Sequence, residues 1–317
     1  MTPRSVEYQF PEIPGRNFGS FALDKGFKWI TRLFSLGVVG VLIYIAVVVG
    51  IDAIPAIERF GWDFLVSSAW NPVQNEYGAL PMIFGTFASS LIALLIAVPI
   101  GVGTAIFLSE NFLPSYIRLT LNFLVELLAA IPSVVYGLWG IYVLIPVLKP
   151  FGNWLHNNLG WFPLFSTRFL GPGMLPAALV LTVMILPLIS SISRDSLAAL
   201  PPTLRQAALG MGATRWTAIF RVLLPAAASG IVGGVMLALG RAMGETMAVT
   251  MLIGNSNDLS FSILAPANTI ASLLANQFAE ASGLQISALM YAGLILFAMT
   301  LVVNILAELI VMRVKQY

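Results

Sequence analysis

The chain has 317 residues, of which 58% are hydrophobic and only 9% charged, against about 45–50% and about 25% in soluble domains. So few charges cannot cover a water-exposed surface, so a bilayer must be the solvent for much of the chain. The net charge of +2 is too mild to argue for a nucleic-acid partner. With no cysteine and a single histidine, His156, disulfides, thiolate metal sites, thiol nucleophiles and histidine clusters are excluded.

Residues 1–32 read as an N-terminal tail. Its first 24 residues are polar and contain Pro3, Pro11 and Pro14. The apolar run Leu33 to Ile51 carries no charge and spans roughly 28 Å, matching a hydrocarbon core of about 30 Å. A cleaved signal peptide is the competing reading, but the run is long for one and starts late. Five further spans are expected near 82–108, 119–148, 174–193, 226–254 and 284–311. Ile131-Pro132 and Ile185-Leu186-Pro187 should kink the third and fourth. Residues 33–317 thus form a six-span, all-α integral membrane domain.

Charge sets the orientation. Of sixteen Lys and Arg residues, twelve fall on the side of the N-terminus, including Arg118, Arg194, Arg205, Arg215 and Arg221. Only Arg59, Lys149 and Arg168 fall on the other, and Arg241 lies within a span. The positive-inside bias predicts both termini in the cytoplasm. Among the outer loops, 52–79 places Trp62, Trp70 and Tyr77 at headgroup depth, and 149–173 carries Trp154 and Trp161. In 255–283, Ile270, Leu273, Leu274 and Phe278 repeat at helical spacing, which argues for a short amphipathic helix lying at the outer face, either packed against the bundle or acting as a gate.

The inner loop at about 195–225 is the most informative segment. Pro201 and Pro202 can open a helix, and Gly210 and Gly212 can end it after about two turns. Thr214 can cap a second helix, which Pro225 ends or kinks before span five. Ala207 and Ala208 give the first helix a small-residue face that another protein can approach. No lysine follows a glycine, so the chain has no P-loop and any nucleotide chemistry belongs to a partner.

Inside span five, Gly240-Arg241-Ala242-Met243-Gly244-Glu245 puts two charges four residues apart, hence on one helix face. A charge at that depth costs roughly 2.5–3.5 kcal/mol, and such residues face a bundle interior or a water-filled path. Three roles are open to Arg241: contact with a passing anion, pairing with Glu245, or pairing with Glu126 of span three. Its planar fork suits phosphate or carboxylate oxygens, and Glu245 would moderate the charge. Glu308 reads as interfacial.

Gln206-Ala207-Ala208, Gly212, Val222 and Leu224-Pro225 resemble the EAA loop of bacterial ABC-importer permeases, in which Glu-Ala-Ala, a Gly, an Ile and Leu-Pro recur at this spacing. Gln206 replaces the usual Glu and Val222 the Ile. The runs Glu126 to Gly140 and Gly240 to Asn255 resemble phosphate-specific transport permeases, closer to their C-type than their A-type subunit. That resemblance implies a type I ABC importer permease fold in the bacterial inner membrane. It implies a coupling contact with an ATPase through Gln206, Ala207, Ala208, Gly212, Leu224 and Pro225. It also implies a substrate path for inorganic phosphate at Arg241 and Glu245, to which Glu126 is added as the candidate partner of Arg241 from span three. The implied partners are an A-type second permease, an ATPase dimer holding ATP and Mg, and a periplasmic phosphate-binding protein. Another oxyanion as cargo, or an ATP-independent secondary transporter, are the alternatives.

Overall fold

A computed structural model describes residues 18–110 and 112–314. The tail positions 1–17, with Arg4 and Arg16, and the C-terminal Lys315 lie outside the described residues. The chain divides into two compact units, 1–48 and 49–317. The first consists, in its described part, of the leading portion of helix α1 (Phe18–Phe60). Residues 25–45 of that helix are exposed. Helix thus begins at Phe18, within the stretch expected to be tail.

The second unit follows α1 with α2 (Asp63–Val66), a hairpin of β1 (Trp70–Asn71) and β2 (Glu76–Tyr77), and α3 (Leu80–Ser109). Next come α4 (Ser115–Ala130), α5 (Ser133–Trp139), a π turn (Gly140–Leu144), α6 (Ile145–Leu159) and α7 (Met174–Ala198). The chain continues through α8 (Pro202–Gly210), α9 (Arg215–Ala218), a second π turn (Ile219–Leu223), α10 (Leu224–Met243) and α11 (Met247–Leu252). It closes with α12 (Ile270–Gln277) and α13 (Leu284–Val314).

Helix α7 is the centre of the bundle, packed between α3 and α10. Its Leu181, Ile185 and Ile189 are buried in one cluster with Ala93 and Ala97 of α3. The facing helices offer small residues at the closest points. A β-carbon on Gly101 would come within 2.8 Å of Ile189, and one on Gly234 within 2.9 Å of Ile192. Gly230 likewise leaves room for Ser196. Small residues are what let apolar helices approach in a bilayer, where van der Waals contact replaces the hydrophobic drive between them.

Six helical stretches are long and apolar enough to cross a membrane: Lys25–Phe60, Leu80–Ser109, Ser133–Leu159, Met174–Ala198, Arg215–Met243 and Leu284–Arg313. The number agrees with the sequence reading, but two spans differ from it. The expected third span, 119–148, is broken at Ile131-Pro132 into α4 and α5, and helix continues to Leu159 through what was expected to be loop. The expected fifth span, 226–254, is broken after Met243. Helix α7, by contrast, runs uninterrupted through Pro187. The step Ile145-Pro146 directly follows a π turn, and so does Leu224-Pro225. A proline lacks the amide hydrogen and its ring crowds the carbonyl four residues back. A wider turn at that point lets the helix pass through instead of ending, which is why Pro225 does not stop the helix.

Helix α12 packs on the bundle. Ile270, Ala271, Ser272 and Leu273 are buried, and Leu273 shares a cluster with Phe64, Tyr77 and Leu289. Thr86 of α3 accepts from the Ile270 backbone N–H at 3.0 Å while donating to the Met82 carbonyl at 2.7 Å. The Asn268 side-chain oxygen accepts from the Thr269 N–H at 3.0 Å and the Ser272 hydroxyl at 2.5 Å. Irregular backbone survives at depth only when its polar groups are satisfied within the protein. Trp70 and Tyr77 stack edge-on at 5.0 Å, and Trp70 Nε1 donates to Gln277 at 2.8 Å. Trp62 is exposed. His156 Nδ1 lies 3.0 Å from the Phe165 carbonyl, a structural hydrogen bond.

Gly85 allows the loop before α12 to lie on α3, because a β-carbon there would overlap the Asn268 carbonyl. Gly85→Ala should therefore lower stability by about 1–3 kcal/mol. Gly103→Ala, where a β-carbon meets nothing within 4 Å, should not. Thermal unfolding of the two purified variants checks this.

Candidate functional site

Two regions hold the residues singled out by sequence: the loop of α8 and α9, and the break between α10 and α11. The loop folds as its residues dictate. Pro201 precedes the helix and Pro202 occupies its first turn, where a missing N–H costs nothing. At the other end the Gly212 N–H donates to the Leu209 carbonyl at 3.0 Å, and the Ala213 N–H to the Ala208 carbonyl at 3.1 Å. This paired closure needs a left-handed residue, and Gly212 supplies it with φ of +86°. The Thr214 hydroxyl accepts from the Thr217 N–H at 3.2 Å and caps α9.

Gln206 and Ala207 are exposed on α8, and Gly212 follows them on the surface. Ala208 is buried, so it faces the chain's own interior and only Ala207 remains of the expected small-residue face. Leu224 is half-buried and Pro225 exposed at the start of α10. Sequence reasoning missed the tie that holds this loop. Arg205 Nη2 meets Glu110 Oε1 at 2.6 Å, joining α8 to the end of α3. It also missed a run of stacked rings, Phe107–Phe112–Trp216–Phe220, with centroids 5.6–6.1 Å apart. The exposed aromatic residues at helix ends were the available signal.

At the second region, α10 ends at Met243, and Gly244 to Thr246 lie outside helix. Arg241 sits in the last turn of α10, and the carboxylate of Glu245 accepts from the Ala248 N–H at 3.4 Å, at the start of α11. Each charge therefore complements a helix end: a cation at a C-terminus and an anion at an N-terminus. The expectation of one shared helix face is corrected by this break. Arg241 is exposed, Glu245 half-buried, and no ion pair joins Arg241 to either carboxylate among the described residues. Tyr136 of α5 packs in the same cluster as Ala242 and Ala248 and lies within reach of the Arg241 charge. Its hydroxyl donates to the Leu128 carbonyl at 2.8 Å, bridging the break between α4 and α5.

Glu126 is placed elsewhere. It meets Arg194 Nη1 of α7 at 3.3 Å, and Arg194 also reaches Asp195 at 3.0 Å. The structure therefore brings Arg241 and Glu245 to one place and leaves Glu126 tethering α4 to α7.

Residues 97–316 match the family described as the inner membrane component of binding-protein-dependent transport systems. The chain belongs to this family. It is 44% identical over 304 residues to the phosphate transport system permease protein PstC of Haemophilus influenzae, covering 94% of this chain and 96% of that one. It is 35% identical over 274 residues to a probable phosphate transport system permease protein PstC of Methanocaldococcus jannaschii, covering 84% and 86%. Among solved structures, a bacterial ABC transporter of the polysaccharide alginate, in complex with a pentasaccharide-bound periplasmic protein, matches with a TM-score of 0.60. That match has 17% identity and covers 90% and 94% of the two chains. The MetNI methionine ABC transporter in an inward-facing form matches with a TM-score of 0.53 at 18% identity, covering 73% and 93%. These structural matches establish the type I ABC importer permease fold. The chain is a multi-pass inner-membrane protein.

The loop closure at Gly212 is testable by itself. Gly212→Val forces a β-branched residue to a positive φ, at a cost of about 1–3 kcal/mol, and should speed proteolysis between residues 199 and 215. Gly210→Ala, in ordinary helical backbone with open space around it, should slow it. Limited proteolysis of the folded protein, read by mass, distinguishes the two.

Proposed function

We propose that this chain is a membrane permease subunit of an ATP-driven importer of inorganic phosphate, with the anion passing Arg241 and Glu245. The observation that carries the reading is Arg241 itself. It is an exposed cation in a membrane-crossing helix, without an ion pair among the described residues, held at the end of α10 by a break in that helix. A guanidinium without a fixed partner can offer its fork to an oxyanion. The nearby Glu245, whose carboxylate is engaged at α11, weakens that hold enough for release. The resemblance of the chain to phosphate permeases over nearly its whole length supports phosphate over other oxyanions, because one arginine does not discriminate among them by chemistry.

The driving energy enters at the other region. With both termini in the cytoplasm, α8 faces the cytoplasm and docks on an ATPase dimer that holds ATP and Mg. Gln206, Ala207 and Gly212 make the outer contact, with Ala208, Leu224 and Pro225 shaping it from within. ATP binding closes that dimer and pulls α8. The pull reaches α3 through Arg205 and Glu110, and reaches α10 directly along the chain through α9 and the π turn. A second, A-type permease completes the path, and a periplasmic phosphate-binding protein delivers the cargo. Coupling in this scheme is reciprocal: the loaded binding protein must raise nucleotide affinity by the factor that nucleotide raises its docking.

Arg241→Ala in the assembled transporter should lower phosphate uptake by roughly tenfold or more, the loss expected when a charge-assisted hydrogen bond to cargo disappears. Uptake of labelled phosphate into proteoliposomes, with sulfate and molybdate as competitors, measures it. Unchanged uptake in the variant overturns the site. Equal competition by sulfate overturns phosphate as the preferred cargo.

A further inference from the structure

The face of α10 that carries Arg241 continues along the helix toward α9. Residues 230, 233, 237 and 241 recur every three or four positions and so lie on one face. Below Arg241 this face opens into a groove of about 430 Å³ between α10 and α13. Gly230, Gly233, Gly234 and Leu237 line it from α10. On the α13 side the lining is Ala307 and Val311 together with two polar groups, Asn304 and Glu308, one helical turn apart. A β-carbon on Gly240 would lie 3.8 Å from the Asn304 side-chain oxygen, which places Asn304 level with the turn of Arg241. Glu308 follows one turn nearer the α8 end. It is exposed and makes no ion pair among the described residues.

An ionisable side chain in a membrane-crossing helix that lines an open cavity marks a wet route in preference to a packing contact. Its volume is many times the roughly 30 Å³ of a water molecule in the liquid, which leaves room for a hydrated oxyanion. We propose that this groove is the exit leg of the anion path, with Asn304 as a hydrogen-bond donor to the passing anion and Glu308 as the release element. The proposal rests on the reading of Arg241 as the cargo contact and extends it. The carboxylate of Glu308 stands beyond the cation in the direction of exit. A carboxylate there repels an anion that lingers and keeps the groove from becoming a second trap. The sequence alone placed Glu308 at the interface, because a carboxylate near the end of a span has no visible partner. Its position across from three glycines of another helix is a tertiary fact.

The absence of native cysteine makes the test direct. Gly233→Cys and Leu237→Cys each introduce one thiol into this chain. A side chain fits at Gly233, where a β-carbon meets nothing within 4 Å, and Leu237 is exposed. The complete transporter is treated in inside-out vesicles with a charged methanethiosulfonate or with N-ethylmaleimide, then reconstituted for uptake of labelled phosphate. Both reagents are expected to label both positions, and the charged adduct to cut uptake by about tenfold or more. Labelling by the maleimide alone would put this face against lipid or a neighbouring subunit and overturn the proposal. Full labelling with unchanged uptake would make the groove a dead end and overturn it equally. Glu308→Gln should lower the maximal rate about fivefold while lowering the apparent KM, since the anion is held longer. An unchanged rate and KM would remove Glu308 from the role. Labelling does not depend on the identity of the cargo. Failure of the unmodified complex to take up phosphate would therefore count against the functional reading and leave the groove standing.

Discussion

The close approach of α7 to its two neighbours is the constraint on which the rest depends. Ile189, Ile192 and Ser196 enter places that Gly101, Gly234 and Gly230 leave empty. In a bilayer the lipid tails are as apolar as the side chains, so helices associate through contact area and not through exclusion of water. Three glycines on two helices therefore fix the distance between α3, α7 and α10. Gly230 and Gly234, eleven and seven residues before Arg241, lie on the same face of α10 as the arginine, so the contact that seats α10 on α7 also sets where Arg241 points. Stability and function share one face of one helix.

The same helix shows how a membrane protein holds two charges without pairing them. Arg241 and Glu245 flank a break, so that each lies at a helix end whose dipole favours it. The break depends on partners distant in sequence. Helix α11 nestles against α5 and the π turn that follows it, where Gly137 leaves space for Met251 and Gly140 for Leu252. A side chain at either glycine would force Met251 or Leu252 to shift. The seat of α11 is thus shaped by two glycines that touch neither charge.

What could be read from the sequence divides along this line. The loop at 200–225 was legible almost residue by residue, because its caps are local: Pro202, Gly212 and Thr214 act on backbone groups within five positions of themselves. The six apolar helices were legible from composition. The break after Met243 was not, because Arg241 and Glu245 stand at a spacing that also fits an unbroken helix, and only the docking of α11 decides between them. Glu126 was drawn toward Arg241 by its depth in the third span. Its actual partner, Arg194, lies 68 positions away and was counted as a loop charge. The full extent of the third helical run was hidden by Pro150, which read as a loop residue just past the expected end at 148, although the helix runs through it to Leu159.

The π turn after α5 has a twin at Ile219–Leu223, and the twin carries an angular consequence. Each residue advances an α-helix by about 100° around its axis. A π turn is in effect one residue inserted into the helix, so everything beyond it is rotated by about that amount relative to α9. Arg241 therefore owes its compass bearing to a wide turn about eighteen residues earlier. Removing one residue from 219–223 would leave α10 helical and apolar, yet its arginine would be turned away from the open face and its glycines away from α7.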